Sequence, residues 1–284
     1  MLSKCLESLE KQTVKIKKVI VTDNFSNDGM LRSFKEKFSW VHWQEEPING
    51  GFSYGCNAGA RLAETKWLLF LNPDTEIPET CFESLIPYCD ENSDYQLISI
   101  KQVNSDGKDC FPYGVFPNIF NLLGPLRSFE RNIIRRSQSK KIMGATSVGF
   151  PDWISGAFVL IRLEDYKKLG SWDEFFWMYY EDIDLSKRAA NLGMKRVLLN
   201  NWYCIHNHGG ASRKNIDTTI LTKSEVLISS HKYIKKHFAL IAKPIAHGLV
   251  FGSSFLELSV LSLFSKVKRG MFKKLLGYWF GAKA

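Results

Sequence analysis

The chain has 284 residues, 45% hydrophobic and 24% charged, a balance that excludes wholesale disorder and collagen-like repeats. Its six cysteines are scattered without a CxxC pair, which argues against a zinc cluster or disulfide scaffold and fits a reducing compartment. The opening MLSKCLESLEKQ lacks the apolar core of a secretory signal. The net charge of +9 is unevenly placed: residues 1–230 hold 28 Lys and Arg against 28 Asp and Glu, and residues 231–284 hold 10 against Glu257 alone. A nucleic-acid enzyme carries its basic stripe over the working surface, so the neutral body argues against nucleic acid. The basic tail points instead to an anionic surface such as lipid headgroups.

In chain order, Leu2, Cys5, Leu6 and Leu9 recur at helical spacing and predict an opening amphipathic helix. Val19–Val21 reads as a short buried strand that breaks into the Asx- and Gly-rich turn at 22–29, followed by a helix over Leu31–Phe38. Val41–Trp43 reads as another strand, the Asn49-Gly50-Gly51-Phe52 loop precedes a helix over Tyr54–Ala63, and Trp67–Leu71 is an apolar strand stopped by Asn72-Pro73. Such alternation means an α/β sheet with crossover connections. Periodicity weakens over 104–150, which holds the basic run Arg127–Lys141. The pattern then resumes with a strand at Trp153–Ile161, helices at Leu163–Leu169 and Glu181–Asn191, a strand at Arg196–Leu199 and a long helix at Thr218–Phe238. Residues 240–264 are apolar but interrupted by Lys243, Pro244, His247 and Glu257, and basic residues follow. A spanning helix wants about 20 predominantly apolar residues, so an interfacial helix is the better reading.

Four places could carry chemistry. Asp23 and Asp74 follow strands, where ligands of open α/β sheets bind. Asp23 could accept from a nucleobase or ribose, or merely shape an Asx turn. Asp74 could bind a hard divalent cation, or cap the helix beyond Pro78-Glu79. Glu181, Asp182 and Asp184 open a helix directly after the aromatic run Phe175–Tyr180. The helix dipole alone favours acids there, by about 0.3–1 kcal/mol, but does not explain the aromatics. An aromatic wall suits a sugar face, and a carboxylate beside it could be a general base, Asp182 being the choice over Asp184. His206 precedes a glycine turn and could complete a metal site with Asp74, with His208 competing for the role.

The ordered set resembles glycosyltransferase family two, the inverting GT-A transferases, in its rhamnosyltransferase-like branch. The matching residues are Val19–Asn24 with Ser26 and Asp28-Gly29, Asn49–Phe52 with Gly55, Asn57 and Gly59, and Leu71–Thr75. They continue with Trp153–Ala157, Asp173-Glu174 through Asp184, and His206 with Gly209 and Ser212. The resemblance implies a mixed, mainly parallel Rossmann-like sheet flanked by helices, and a nucleotide-diphosphate sugar donor with Mg²⁺ or Mn²⁺. It implies that Asp23 holds the nucleobase and that Gly51 and Asn57 line the nucleotide cleft. Asp74 becomes the last acid of a metal triplet whose first acid is replaced by Asn72, and His206 approaches the same metal. Asp182 deprotonates the acceptor hydroxyl, while Gly156 and Ala157, with Trp153 and Glu181, make room for donor and acceptor.

The family opens with a strand before the first helix, and this chain starts in that helix. The strand would lie mid-sheet, so its absence exposes an internal edge. Either the start codon lies upstream of Met1 or the copy is shortened. The expectation is therefore a metal-dependent inverting glycosyltransferase over residues 1–238, followed by a basic tail over 239–284 that touches the membrane surface. It would move rhamnose or a similar sugar, from dTDP-rhamnose or a UDP-sugar, to a lipid-linked glycan in surface polysaccharide synthesis. The place would be cytoplasmic, peripheral at the inner face of the plasma membrane. The alternatives are a non-catalytic sugar-nucleotide-binding remnant and a glycoside hydrolase, which would need two carboxyl groups about 5–9.5 Å apart.

Overall fold

The computed structural model describes residues 1–26, 29–122, 147–207 and 215–281. The basic run Arg127–Lys141, Asp28, His208, Gly209 and Ser212 lie outside them. The described chain forms two compact units, one of Met1–Phe116, Ser139–Glu174 and Glu181–His208, the other of Pro117–Gln138, Phe175–Tyr180 and Gly209–Ala284. The sequence boundary at 238 falls inside the second unit, because the helix before it groups with the helices after it.

In the first unit the order is α1 (Leu2–Glu10), β1 (Ile20–Asp23), α2 (Leu31–Lys37), β2 (His42–Glu45), α3 (Phe52–Ala60), β3 (Trp67–Leu71), β4 (Thr75–Glu76), α4 (Cys81–Glu91) and β5 (Tyr95–Val103). Short strands β6 (Asp109–Cys110), β7 (Tyr113–Gly114), β8 (Val148–Gly149) and β9 (Trp153–Ile154) follow, then β10 (Phe158–Arg162), α5 (Leu163–Lys168), α6 (Glu181–Asn191) and β11 (Lys195–His206). The main sheet runs β3-β10-β5-β11-β4. Strand β11 runs parallel to β5, whereas β10 is antiparallel to both β3 and β5, so the sheet is mixed. Among the described strands parallel pairing is confined to β5–β11 and β1–β2. Every residue of β10 is buried, as a central strand covered on both faces requires.

Strands β1 and β2 form a sheet of their own. No ladder among the described residues joins β1 to β3. Helices bridge the break on side-chain contacts. On α3, Phe52, Cys56 and Ala60 pack on the core around Leu68, Phe70 and Trp172. Gly59 of the same helix lies against β1, where a Cβ would come within 3.0 Å of Thr22 Oγ1. On α1, Leu6 packs with Phe38 and Val41, while the neighbouring Cys5 thiol reaches Asn72 O at 3.8 Å.

The second unit holds α7 (Ile216–His237), α8 (Ala242–Leu261) and α9 (Lys266–Phe280). Asn215 caps α7 by accepting from Thr218 N–H at 2.8 Å, and Ser265 caps α9 by accepting from Lys268 N–H. Ile228, Leu258, Met271 and Leu275 form the core of the three helices. A polar chain also crosses them: Trp279 Nε1–H donates to His231 Nε2, and the His231 and His247 Nδ1 atoms lie 2.9 Å apart. Burial holds the His231 imidazole down to about 4, so it stays neutral at ordinary pH. The run Phe175–Tyr180 packs on α7 within this unit. Phe176 is fully buried, Lys232 Nζ donates to Phe175 O, and Ser229 Oγ donates to Met178 O.

Candidate active site

Strand register assembles one half of the site. Pairing of β11 with β4 sets His206 opposite Thr75, and Asn207 N–H donates to Asp74 O at 3.0 Å. The tight turn after β3 is closed by Thr75, whose N–H and Oγ1–H both donate to Asn72 O. The result places His206 Nε2 3.3 Å from Asp74 Oδ1, both side chains almost wholly buried. Parallel pairing of β11 with β5 sets Gln102 opposite Cys204, so it shares a face with His206. Gln102 Oε1 lies 2.8 Å from His206 Nδ1. With Nδ1–H donating to Gln102, the Nε2 lone pair faces a carboxylate oxygen, a contact that calls for a proton or divalent cation between them. The aspartate oxygen suits Mg²⁺ or Mn²⁺, and an imidazole nitrogen beside it favours Mn²⁺ of the two. The described residues hold no group of three or more His, Cys, Asp and Glu placed for a metal, so two protein donors would leave the other positions to phosphate oxygens and water. Gln102, fully buried with its Nε2 unpartnered, was not legible in the sequence. The run Tyr95–Val103 also holds Gln96, Ser99 and Lys101, so its residue types do not single Gln102 out.

The other half is the start of α6. Asp182 Oδ2 accepts from Gly156 N–H at 3.2 Å and Oδ1 from Ile183 N–H at 2.8 Å. Burial pushes the Asp182 carboxyl above the usual carboxylate range, against the pull of those donors. Burial, and then the charge of Asp182, push Glu181 well above it. Asp184 is fully buried and pairs with Arg188 one turn on, Nε to Oδ2 at 2.8 Å, so it serves the helix itself. Immediately before α6, Tyr179 and Tyr180 hold φ of +66° and +67°. Bulky residues in the left-handed region carry strain of about 1–3 kcal/mol each, which clusters at functional sites.

Short steps tie the three acids together. Asp182 holds Gly156, and the adjacent Ala157 O accepts from Asn72 N–H at 3.0 Å, two residues before Asp74. A Cβ on Gly156 would meet the Phe52 ring at 3.3 Å. Phe52 follows Gly51, whose carbonyl accepts from Asn24 Nδ2 at 2.8 Å, while Asn24 Oδ1 takes Gly50 N–H. Asn24 thus clamps the glycine loop beside Asp23. Gly51 has φ +88° and ψ −177°, a conformation open essentially to glycine alone.

Several expected pocket residues have other work. Asn57 Nδ2 donates to Trp172 O and Glu174 Oε1, and its Oδ1 accepts from Tyr166 Oη and Trp172 N–H. Its amide is fully engaged inside the chain, so it brackets α3 to the segment after α5. Ala157 is buried, and the space at Gly156 is taken by Phe52 and Asp182; glycine here permits close approach rather than an opening. Trp153 donates its indole N–H to Val115 O and lies so close to Gly114 that a Cβ there would clash. Asp23 Oδ2 accepts from Ser26 N–H, three residues on, at 3.3 Å, a local bond that shapes the turn after β1.

Comparison with known proteins agrees with this architecture. The family model for glycosyl transferase family 2 matches residues 1–151. "Rhamnosyltransferase WbbL" of Escherichia coli is 26% identical over 201 residues, 66% of this chain and 72% of that protein. An "N-acetylglucosaminyl-diphospho-decaprenol L-rhamnosyltransferase" of Mycobacterium tuberculosis is 22% identical over 222 residues, covering 72% of this chain and 71% of the relative. Two solved structures share the fold. They are GalNAc-T7 with UDP, GalNAc and Mn²⁺ (TM-score 0.57, 14% identity, 92% of this chain and 55% of that one) and S. aureus TarS (0.52, 16%, 94% and 44%). The chain therefore spans about half the length of these solved structures. With its GT-A fold and a family match over more than half its length, the chain belongs to glycosyl transferase family 2 and is a glycosyltransferase.

Proposed function

We propose that this chain moves a sugar, rhamnose or a similar hexose, from a nucleoside-diphosphate donor to a hydroxyl of a lipid-linked glycan, with inversion, in cell-surface polysaccharide synthesis. The observation that carries the reading is the Asp182 carboxylate, raised by burial and tied through Gly156, Ala157 and Asn72 to the Asp74–His206 pair. Asp182 takes the proton of the acceptor hydroxyl as its oxygen bonds to the anomeric carbon. The bond from that carbon to the diphosphate breaks on the opposite face, and the diphosphate leaves with the electron pair. A base whose pKa is lifted toward working pH suits this transfer. Asp74 and His206 would hold Mg²⁺ or Mn²⁺, and a bound cation offsets the charge that develops on the departing diphosphate. That relative GalNAc-T7 was solved with UDP and Mn²⁺ supports the kind of donor and ion. The two rhamnosyltransferase relatives support the sugar, and the mycobacterial one supports a lipid-linked acceptor.

Asp23 and Gly51 would meet the nucleotide, Asp23 with the oxygen that Ser26 leaves open. Asn57 is assigned a positioning role, and Trp153, Gly156, Ala157 and Glu181 shape the surroundings of Asp182. The test is Asp182→Asn, with donor binding followed by calorimetry and transfer followed by nucleotide release. Transfer should be lost and binding kept; retained transfer would reject the base.

A further inference from the structure

Helix α8 (Ala242–Leu261) carries large apolar side chains on its outer face as well as on its buried one. Toward α7 and α9 it buries Ala246, Val250, Ser254 and Leu258, and Ser262 just beyond it is buried too. Outward it turns Ile245, Leu256 and Val260, and the turns at its ends add Leu240 and Ile241 (83% and 86% exposed) and Leu263 and Phe264 (69% and 82%). Ile245, Leu256 and Val260 stand about three turns and one turn apart, so they form one ridge on the helix, with the exposed Ile241 and Phe264 in the turns that flank it. Gly248 and Gly252, each with open space where a Cβ would stand, fill the interval. Ala246, Val250, Ser254 and Leu258 thus face inward while Ile245, Leu256 and Val260 face out, so both sides of the helix are mainly apolar.

By length and composition α8 is also the one described helix apolar enough to cross a bilayer. Its inner face is covered by α7 and α9, and it carries Lys243, His247 and Glu257, the last paired with Lys268 of α9 at 2.6 Å. Interrupted by Lys243, Pro244, His247 and Glu257, the helix fits an interface better than a span. Charge selects what covers the ridge. Lys243 stands in the first turn of α8. At the other end Arg269 donates to Ser262 O and Leu263 O, which holds a guanidinium beside Leu263 and Phe264. Lys266 and Lys273 are exposed on the next helix. A second copy would bring these cations against their like, whereas an anionic lipid surface offsets them.

We infer that α8 lies flat in the headgroup region of an anionic bilayer, its ridge from Ile241 to Phe264 in the acyl boundary and Lys266, Arg269 and Lys273 on lipid phosphates. This deepens the lipid-linked-acceptor reading, yet vesicle binding needs no glycan and fails or holds independently of transfer.

The test is flotation of the full chain with phosphatidylcholine vesicles, with and without phosphatidylglycerol. The chain should float with the anionic vesicles and far less with the neutral ones. The triple variant Ile241→Ser, Ile245→Ser, Phe264→Ser removes only exposed side chains. It should keep its thermal midpoint and lose partitioning by about tenfold or more. Lys266→Gln with Lys273→Gln should lose roughly tenfold to thirtyfold on anionic vesicles. Unchanged partitioning in both variants overturns the inference. So does a dimer in gel filtration that the triple variant converts to monomer without any vesicle binding in the parent. If the triple variant fails to fold, Phe264→Ser and the lysine pair decide the matter. Transfer to a water-soluble acceptor, measured alongside, reports on the catalytic reading alone.

Discussion

The start of α6 and the outer face of α8 break the usual partition of side chains in opposite directions. One buries carboxylates: Glu181 and Asp184 are sealed from water, and Asp182 is raised by burial beside them. The other exposes Ile245, Leu256 and Val260 on the helix, with Leu263 and Phe264 just beyond it. Buried polar groups and exposed large apolar patches are the informative departures in a folded chain. Each carries a free-energy cost that the fold alone does not return. On the proposed readings the contrast has a simple cause: the two regions would serve different partners, a proton in transit at the first and a non-aqueous phase at the second.

The comparison can be broken first at Asp182. Asp182→Asn should lower transfer by about 10²–10⁴-fold, the usual contribution of a positioned base. A loss of only severalfold would reduce Asp182 to a helix-start acid like Asp184. Next comes the metal pair. Gln102→Met removes the acceptor that orients His206, and Mn²⁺ affinity, read from the paramagnetic resonance of free Mn²⁺, should fall about 10–100-fold. Equal affinity in the variant would make Gln102 mere filling, and no Mn²⁺ binding in the parent would reject the pair itself.

The pH profile sharpens the same contrast. Because burial raises Asp182, the acid limb of transfer should lie above the ordinary aspartate value of about 3.9 and rise with pH through it. A limb at or below that value would mean the carboxylate is solvated. The smallest effect expected is on stability. Glu181 is raised in the folded state, so it favours folding at pH below its unfolded value and loses that contribution as pH rises through the folded one. Glu181→Gln does not titrate. Its thermal midpoint should exceed the parent's at about pH 8, by roughly 2–4 °C for each kcal/mol relieved, with the advantage gone near pH 4. A variant less stable at both values would show that the Glu181 carboxylate is paired rather than stranded.

How legible these regions were depended on how local their causes are. The strand Trp67–Leu71 and the helix Glu181–Asn191 are found with the ends the sequence predicts. Apolar alternation stopped by Asn72-Pro73 defines the one, and acids at the start with Gly193 after the end define the other. The stretch Trp153–Ile161 reads as one strand but is two, β9 and β10. Its middle backbone leaves the ladder: Ile154 N–H donates to Ser186 Oγ, Ser155 N–H to Pro112 O and Gly156 N–H to Asp182. Strand β11 runs seven residues past Leu199, because a register shift between Leu199 and Tyr203 carries the pairing across the polar Asn200-Asn201. Helix Cys81–Glu91 and strand Tyr95–Val103 escaped the sequence reading, although β5 lies mid-sheet. Pro87 inside the helix and the polar Ser99, Lys101 and Gln102 in the strand blur both patterns.

By itself the sequence determined the alternating α/β class, the family and a basic apolar tail, and it named the acids at 23, 74 and 182 as candidates. Each of these is written in residue types at short spacing, where turn chemistry, helical period and charge act locally. The resemblance had already joined His206 to Asp74; only the tertiary structure decided that Gln102 stands behind His206, that Asn57 is consumed as a bracket, and that α8 turns Ile245, Leu256 and Val260 outward. Those outcomes depend on which strands pair and which helix faces are covered, through contacts between residues a hundred or more positions apart at the site. No local pattern encodes them.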